Sequence, residues 1–442
     1  MSPAVPINAG DTAWVLTSAA LVFFMMPGLA LFYGGLVGAK NVIATMVQSF
    51  VAIALISVLW IAFGYALTFG TDHGTVIGDL SHAMMLGVGG TSNSYAPTVP
   101  ALAFMAFQMK FAVITPALIA GAFTERMSFR GYLLFIGLWS TFVYIPLAHW
   151  VWGGGFLGSG GLKAIDFAGG SVVHESAGFA ALATVLYLGP RRQRVAHPHN
   201  IPLVLLGAGI LWFGWFGFNA GSALTAGHVA ASALVNTQAG ACAGLLAWMA
   251  IEWRHQGKPS GVGLATGGVA GLAAITPASG YVTTWASLII GGAAGVLCYL
   301  AVQAKSRFGY DDSLDVVGVH GVAGFLGIVL TGVFASLAVN AAGAAGGLNL
   351  LGRQSVLAVV AMVFPFVATL AVLWITDKLV GLRVPAEEEE AGLDVGEHGE
   401  IAYGLLAEAE VAEQTPVADA PGPPAQRTPS STEGIDTREF TG

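Results

Sequence analysis

The stretch DFAGGSVVHESAGF at residues 166–179 returns in altered form as DDSLDVVGVHGVAGF at residues 311–325. Each copy places a histidine in a V-H-x-x-A-G-F frame, eight residues after an aspartate. The pairs are Asp166 with His174 and Asp312 with His320. Two versions of one motif predict that the chain contains an internal repeat.

The residues around these motifs have the composition of a membrane protein. Of 442 residues, 55% are hydrophobic and 10% are charged, whereas a soluble domain carries about 25% charged residues. The 61 glycines and a mean hydropathy of +0.73 favour closely packed transmembrane helices. Cys242 and Cys298 lie in apolar stretches without metal-ligand spacing, so we expect no disulfide and no metal site.

Apolar runs of the length of a membrane span divide the chain. A spanning helix needs roughly 20 mostly apolar residues, and glycine, proline or charged clusters separate such runs here. We therefore expect an all-α polytopic membrane protein with eleven transmembrane helices. The predicted spans are 12–36, 43–69, 100–124, 131–150, 169–190, 200–218, 226–252, 262–277, 281–303, 315–338 and 354–381.

The two histidines fall in spans 5 and 10. An odd number of spans between equivalent elements inverts the second copy, which predicts a five-plus-five inverted repeat, spans 1–5 and 6–10, with a C-terminal eleventh helix. Inverted repeats place functional sites near the bilayer midplane. At about 1.5 Å per residue, eight residues carry each chain roughly 12 Å inward from its aspartate. We therefore expect His174 and His320 to meet inside the bundle.

Ionisable residues inside a membrane are costly and are candidates for function. The alternative for His174 and His320 is a pair of core histidines bonded to backbone carbonyls. For Asp166 and Asp312 a structural role is the stronger interpretation, because an aspartate before a helix caps its free N–H groups.

The distribution of charge predicts the orientation and the domains. Residues 1–13 lack the features of a cleavable signal peptide, so we expect an external N-terminus. With this orientation, twelve Lys and Arg fall in the loops on the cytoplasmic side, and only Lys163 and Arg353 fall in the outside loops. This distribution is the one that the positive-inside rule requires. Residues 1–384 hold 15 Lys and Arg against 11 Asp and Glu, whereas 385–442 hold 2 against 14. We predict a transmembrane domain at 1–384, a cytoplasmic segment at 385–404 and a disordered tail at 405–442.

Several further segments carry a family resemblance. They are PGLALFYGGLVGAKN at 27–41, FQMKFAVITPALIAGAFTERM at 107–127, IPLAHWVWGGG at 145–155, DFAGGSVVHESAG at 166–178, GWFGFNAGSA at 214–223, ITPASGY at 275–281, DDSLDVVGVHG at 311–321 and GLRVPAEEEEAGLDVGEHGEIAYG at 381–404. In this order they resemble the ammonium transporter (Amt/Mep/Rh) family across residues 12–404.

The resemblance implies the residues of a transport path. It implies a substrate-binding site of Phe111, Trp152 and Ser222, a gate of Phe107, Phe111 and Phe218, and a pore lined by His174 and His320. Aromatic faces attract cations, and a serine hydroxyl can accept a hydrogen bond from ammonium. Without the resemblance, Trp152 and Phe218 are read as packing residues.

The resemblance also implies the setting of the protein. It implies ammonium or methylammonium as substrate, a homotrimer with one pore per subunit, and a role in nitrogen metabolism at the cytoplasmic membrane. A trimeric PII regulatory protein would dock on the segment 381–404 and the inside loops. We expect no enzymatic activity, no cofactor and no nucleic-acid partner, since the basic loop 191–200 suits an inside loop.

The hypothesis for transport is that ammonium is recruited outside, loses a proton at the gate, and crosses as ammonia past the histidines while the proton moves separately. Three alternatives stay open. They are an ammonium sensor, a neutral gas channel for ammonia or carbon dioxide, and a membrane redox enzyme with His174 and His320 as haem ligands.

Two intramembrane charges depart from the family pattern: Lys110 beside Phe111, and Glu175 beside His174. Because unpaired charges are disfavoured in a bilayer, we expect them to form a buried ion pair behind the pore wall. The alternative is that one of them lines the pore. The glycine-rich segment 153–161 lacks the strand and the GK[ST] of a phosphate-binding loop, which favours a turn.

Overall fold

The computed structural model describes residues 5–193 and 197–404. The chain divides into two units, of which the first ends at Ala402, and the predicted tail, 405–442, lies outside the described residues. Within these residues, ten helices are long and apolar enough to span a membrane, and an eleventh apolar helix is shorter. They are α1 Ala9–Leu36, α2 Ala39–Phe69, α3 Ala101–Phe123, α4 Phe129–Trp152, α5 Gly170–Leu188, α6 Ile201–Gly221, α7 His228–Gln256, α8 Gly261–Ile275, α9 Thr284–Phe308, α10 Val317–Phe334 and α11 Leu348–Val380.

Helix α8 is the short one. It begins after Ser260, whose Oγ accepts a hydrogen bond from the Gly263 amide at 2.9 Å, and Pro277 follows its end. Its 15 residues rise about 22 Å at 1.5 Å per residue, less than the roughly 30 Å of a bilayer core. The predicted span 262–277 therefore corresponds to a helix that is short for a span.

Four helices contain a π-helical turn that hydropathy did not predict. These turns are Trp60–Gly64, Ser140–Tyr144, Gly170–Glu175 and Val317–Gly321. A π turn inserts an extra residue into a helix and is frequent at functional sites. The last two turns contain His174 and His320.

Glycines let helix backbones approach closely. A Cβ on Gly207 of α6 would lie 2.3 Å from the backbone nitrogen of Phe32 in α1. A Cβ on Gly291 of α9 would lie 2.0 Å from the carbonyl oxygen of Gly240 in α7. Close packing of this kind stabilises helix pairs in lipid, where no hydrophobic force drives helices together.

The two ends of the bundle carry different small elements. At one end, strands β1 Asp72–His73 and β2 Ile77–Gly78 form an antiparallel hairpin; we call this the hairpin end. The other end carries two short helices, α12 Ala386–Ala391 and α13 Leu393–His398, and we call it the C-terminal end. There Asn41 Oδ1 accepts a hydrogen bond from the Leu393 amide at 2.8 Å.

Arg191 connects several loops at the C-terminal end. Its guanidinium contacts Glu125 at 2.6 Å and Asp311 at 2.9 Å. Arg191 lies near Asp311, and its hydrogen bonds hold the pKa of that carboxyl well below its usual value against the opposing effect of burial. The network therefore fixes the loops around the start of α10, the helix that contains His320.

Candidate functional site

The histidine pair lies in the interior of the bundle. His174 Nδ1 and His320 Nδ1 are 3.3 Å apart, and the two rings are stacked with centroids 5.2 Å apart. Their exposed fractions are 1% and 4%. Because the two Nδ1 atoms face each other, one ring donates an N–H and the other accepts it. Within the described residues His174 Nε2 has no hydrogen-bond partner, so it can bind a small polar molecule.

Reciprocal glycine contacts bring the two histidine helices together. A Cβ on Gly178 of α5 would lie 2.2 Å from the Cα of Gly321 in α10, and a Cβ on Gly324 of α10 would lie 2.6 Å from the backbone nitrogen of Glu175 in α5. Gly178 and Gly324 occupy the same place in the repeated motif, as do Glu175 and Gly321. The close approach explains why the two rings meet.

The two motif aspartates lie at opposite ends of the bundle. At the hairpin end, Asp166 accepts hydrogen bonds from the amides of Gly169, Gly170 and Ser171, each at 2.8 Å, and from the Ser171 hydroxyl. At the C-terminal end, Asp312 Oδ2 accepts from the Val317 amide at 2.8 Å. Burial, and then the nearby Asp315 carboxyl, raise the pKa of Asp312 to about 6.

An aromatic column leads from the hairpin end to the histidines. The ring centroids of Phe107 and Phe111 are 4.9 Å apart, and those of Phe111 and Phe218 are 4.2 Å apart. Phe218 lies 5.8 Å from the His174 ring. Trp215 stacks on His174 at 5.1 Å with an interplanar angle of 26°, and its ring lies 5.7 Å from that of Phe218. The column closes the direct path to the histidine pair.

A cavity of about 560 Å³ opens above this column at the hairpin end. Phe111, Trp152, Ser222 and Asp166 all contribute to its walls. Trp152 Nε1 donates to the Asp166 carbonyl at 2.9 Å, and its ring meets Phe111 edge to face at 6.0 Å. The Ser222 hydroxyl donates to the Phe218 carbonyl at 2.8 Å, which leaves its lone pairs free to accept.

A second cavity lies on the other side of the aromatic column. It measures about 10 Å³ and is lined by both histidines, Phe218, Trp215 and Tyr33. This volume holds about one water molecule. Phe111 lines the large cavity and Phe218 the small one, so their stacked rings separate the two. Phe107 is fully buried behind Phe111 and lines neither cavity.

The predicted ion pair between Lys110 and Glu175 is wrong. The Lys110 ammonium lies over the ring of Phe23, 5.3 Å from its centroid. Glu175 is fully buried, and neither carboxyl oxygen has a hydrogen-bond partner in the described chain. Lys110 lies on the side of α3 that faces α1 and α2, next to Phe23 and Ile53, whereas the backbone of Glu175 packs against Gly324 of α10. The prediction failed because spacing along one helix does not show which neighbour faces each residue.

Sequence reasoning did not single out Trp215, Tyr33, Tyr95 or Gln108. Trp215 and Tyr33 line the small cavity, and Tyr95 and Gln108 line the large one. Trp215, Tyr33 and Gln108 fall within segments that carried the family resemblance. For Trp215 the signal was available, because residues three apart on a helix share a face and Phe218 was already a candidate.

Comparison with known proteins identifies the relatives of this chain. The family model described as Ammonium Transporter Family matches residues 13–403. An ammonium transporter of Bacillus subtilis (strain 168) is 48% identical over 403 residues, which covers 90% of this chain and 99% of the relative. Ammonium transporter Amt1 of Archaeoglobus fulgidus is 44% identical, covering 90% of this chain and 100% of the relative.

Solved structures of similar proteins share the fold. Mep2 of Candida albicans superposes with a TM-score of 0.82 at 36% identity, covering 90% of this chain and 91% of that one. A structure titled Sensor Amt Protein superposes with a TM-score of 0.82 at 29% identity, covering 88% of this chain and 98% of that one.

Proposed function

This chain belongs to the ammonium transporter family, and from that premise we propose that it moves ammonium across the cytoplasmic membrane as ammonia, past His174 and His320. The observation that carries the proposal is the alignment of the large cavity, the stacked rings of Phe111 and Phe218 that close it, and the paired imidazoles beyond them. The protein is a transporter and not an enzyme.

Recruitment takes place in the large cavity. The faces of Phe111 and Trp152 provide about 0.5–2 kcal/mol of cation–π attraction for ammonium, and Ser222 Oγ accepts one of its N–H bonds. Backbone and hydroxyl donors hold the Asp166 carboxylate in place. It therefore orients the start of α5 and adds negative potential to the cavity wall.

Ammonium loses a proton at the aromatic column, and the proton passes to Nε2 of His174, which has no hydrogen-bond partner among the described residues. Desolvating an ion costs several kcal/mol, and apart from the two histidines and Tyr33 the small cavity is lined by apolar and aromatic side chains that cannot solvate a charge. Neutral ammonia avoids this cost, whereas sodium and potassium ions cannot lose their charge. The facing Nδ1 atoms, 3.3 Å apart, allow a proton to pass from one imidazole to the other, because each ring can donate at one nitrogen and accept at the other.

In the orientation expected from the positive-inside rule, the hairpin end faces the outside of the cell. Arg191 and the C-terminal helices α12 and α13 then face the cytoplasm. In the complete architecture α8 counts as a span, giving eleven helices with a five-plus-five inverted repeat and α11 at the end. The reciprocal contacts of Gly178 and Gly324 support this repeat, because a two-fold relation makes equivalent residues exchange places across an interface.

Assembly and regulation follow the family. The protein forms a homotrimer in the cell membrane with one path per subunit. The segment 385–404 and the inside loops bind a cytoplasmic PII protein that couples transport to nitrogen metabolism. The ordered contacts of α13 with Asn41 and Ala44 at the start of α2 support this segment as a docking element.

The second candidate function is that of an ammonium sensor, which the similarity to the Sensor Amt Protein structure favours. A sensor would bind ammonium in the same cavity but would not move it across the membrane. Transport measurements therefore separate the two functions directly.

The test is methylammonium uptake and current in proteoliposomes containing the purified protein. We expect the native protein to show both, and the double change His174→Ala with His320→Ala to lose the current. His255→Ala, an exposed histidine at the end of α7, is the matched control and should behave as native. Binding without uptake would support the sensor, and uptake without current would remove the proton relay and leave a neutral gas channel.

A further inference from the structure

A fully buried histidine near the large cavity has no role in the proposed transport path. His149 lies in the last turn of α4, three residues before Trp152, and is 0% exposed. Its Nδ1 is 2.8 Å from the Thr68 carbonyl oxygen, and its Nε2 is 2.9 Å from Asp72 Oδ1. We call these two bonds the His149 clasp.

Both partners of the clasp are hydrogen-bond acceptors. A backbone carbonyl and a carboxylate only accept hydrogen bonds. The bond from His149 is the largest influence that lowers the pKa of Asp72, so this carboxyl stays ionised. Each ring nitrogen of His149 therefore faces an acceptor, and the ring bridges α2 to strand β1.

Backbone bonds of His149 connect the clasp to the chain on either side of Trp152. The His149 carbonyl accepts hydrogen bonds from the amides of Gly153 at 2.9 Å and Gly155 at 3.0 Å. A Cβ on Gly153 would lie 2.0 Å from the Thr68 carbonyl oxygen, so the end of α4 packs directly against the end of α2. The indole of Trp152 therefore projects from a turn whose position depends on His149.

The same contacts extend around the cavity wall. Tyr95 Oη donates to the Gly153 carbonyl at 3.0 Å, and Tyr95 meets Phe69 edge to face at 5.1 Å. Both rings line the large cavity together with Trp152. The clasp thus connects three elements of the wall: the end of α2, the hairpin and the end of α4.

We propose that His149, paired with Asp72, is a positioning residue that sets the ammonium affinity of the large cavity by holding Trp152 in place. His149 does not touch the substrate. The inference rests on the proposed function, since it concerns the recruitment site of the same transport path. It predicts that loss of the clasp weakens binding while the path beyond Phe111 keeps its rate.

The test compares His149→Gln and Asp72→Asn with the native protein. A glutamine amide at position 149 cannot reach both the Thr68 carbonyl and the Asp72 carboxylate, and an asparagine at position 72 removes the negative charge of the carboxylate. We expect the KM for methylammonium uptake to rise about 3- to 10-fold in each, as expected for losing much of a cation–π contact, with Vmax within about 2-fold of native. The double variant should match the single ones, because both changes break the same bond.

Two further measurements make the outcome decisive. His73→Gln alters the neighbouring exposed histidine of β1 and should keep the native KM. The rise in unfolding temperature caused by added methylammonium measures binding without transport, and it should shrink in His149→Gln and Asp72→Asn.

The outcomes separate the clasp from the proposed function. A native KM in either clasp variant, or a loss confined to Vmax and thermal stability, would overturn the positioning role while transport by the native protein stands. A native protein that binds methylammonium but does not transport it would overturn the proposed function alone. A native protein that does not bind methylammonium would overturn both.

Discussion

The two halves of the repeated motif hold their aspartates differently. Both acids precede a histidine by eight residues, and both are buried. Asp166 has donors on both oxygens, including the Ser171 hydroxyl. Asp312 has a donor on Oδ2, while its buried Oδ1 has no hydrogen-bond partner within the part of the chain that the structure describes.

Local sequence explains the difference. Ser171 of the first copy corresponds to Val317 of the second, which has no hydroxyl to offer. Gly169 corresponds to Asp315, and both adopt positive φ, 109° and 63°. Glycine reaches this conformation without strain, whereas Asp315 is one of the few residue types that tolerate it and adds a second carboxyl beside Asp312. Lys305 bonds both Asp315 and the Asp312 carbonyl.

The two copies of the motif share the spacing from aspartate to histidine, but they differ in the hydrogen-bond partners of the aspartate. The spacing from acid to histidine brings the two imidazoles together in both halves. The surroundings make Asp166 a fully bonded helix cap and leave Asp312 a carboxyl with an unsatisfied oxygen. Three measurements test this asymmetry.

The largest expected effect is the loss of the Asp166 cap. Asp166→Ala leaves three backbone amides and a hydroxyl without their acceptor, and each buried unsatisfied group costs about 1–3 kcal/mol. We expect a loss of at least about 4 kcal/mol in the free energy of unfolding, against about 1–2 kcal/mol for Asp312→Ala. Thermal unfolding of both variants in detergent would measure this, and equal losses would contradict the asymmetry.

The sequence predicted much of the fold because hydropathy alone determines where a chain can cross a bilayer. The predicted spans and the observed helices overlap throughout, for instance 12–36 against Ala9–Leu36 and 354–381 against Leu348–Val380. Helix ends differ because caps such as Asn8, whose side chain accepts from the Asp11 amide, extend helices into polar residues.

The site was predicted less completely. Family segments pointed to Phe111, Trp152 and Ser222, which do line one cavity. The π turns around His174 and His320 could not be predicted from hydropathy, because a π turn changes the backbone hydrogen bonds and not the residue composition. The failed pairing of Lys110 with Glu175 shows the same limit, since the direction of a side chain depends on the rotation of its helix in the folded bundle.

The second largest expected effect is a pH dependence of the free energy of unfolding, which arises from Asp312 in the second copy of the motif. Burial and Asp315 raise the pKa of Asp312 from 3.8 to about 6, so the folded protein binds this proton more tightly than the unfolded chain does. Stability should therefore rise as pH falls from about 7 to about 4, by up to about 3 kcal/mol. Asp312→Asn cannot titrate and should show a smaller slope in thermal unfolding over this range.

Asp79→Asn is the control for this measurement. Asp79 is partly exposed at the hairpin end, and its hydrogen bond from Ser81 is the largest influence that lowers its pKa. Its contribution to stability is lost only at pH values below 3.8, so this variant should keep the native slope. A native slope in Asp312→Asn would show that Asp312 carries no proton in this range.

The smallest expected effect comes from introducing a hydroxyl at Val317, the position in the second copy that corresponds to Ser171 in the first. Val317→Thr keeps the shape of a buried valine and places a donor where Ser171 carries one in the first copy. The gain of a hydrogen bond to the Asp312 carboxyl, about 1 kcal/mol, is partly offset by the cost of burying a hydroxyl, so the net change at neutral pH should stay below about 1 kcal/mol. The slope with pH should fall more clearly, because a donor stabilises the ionised carboxylate and lowers its pKa. An unchanged slope in Val317→Thr would mean that the missing serine does not explain the difference between the two halves, and that Asp315 and Lys305 set the state of Asp312 alone.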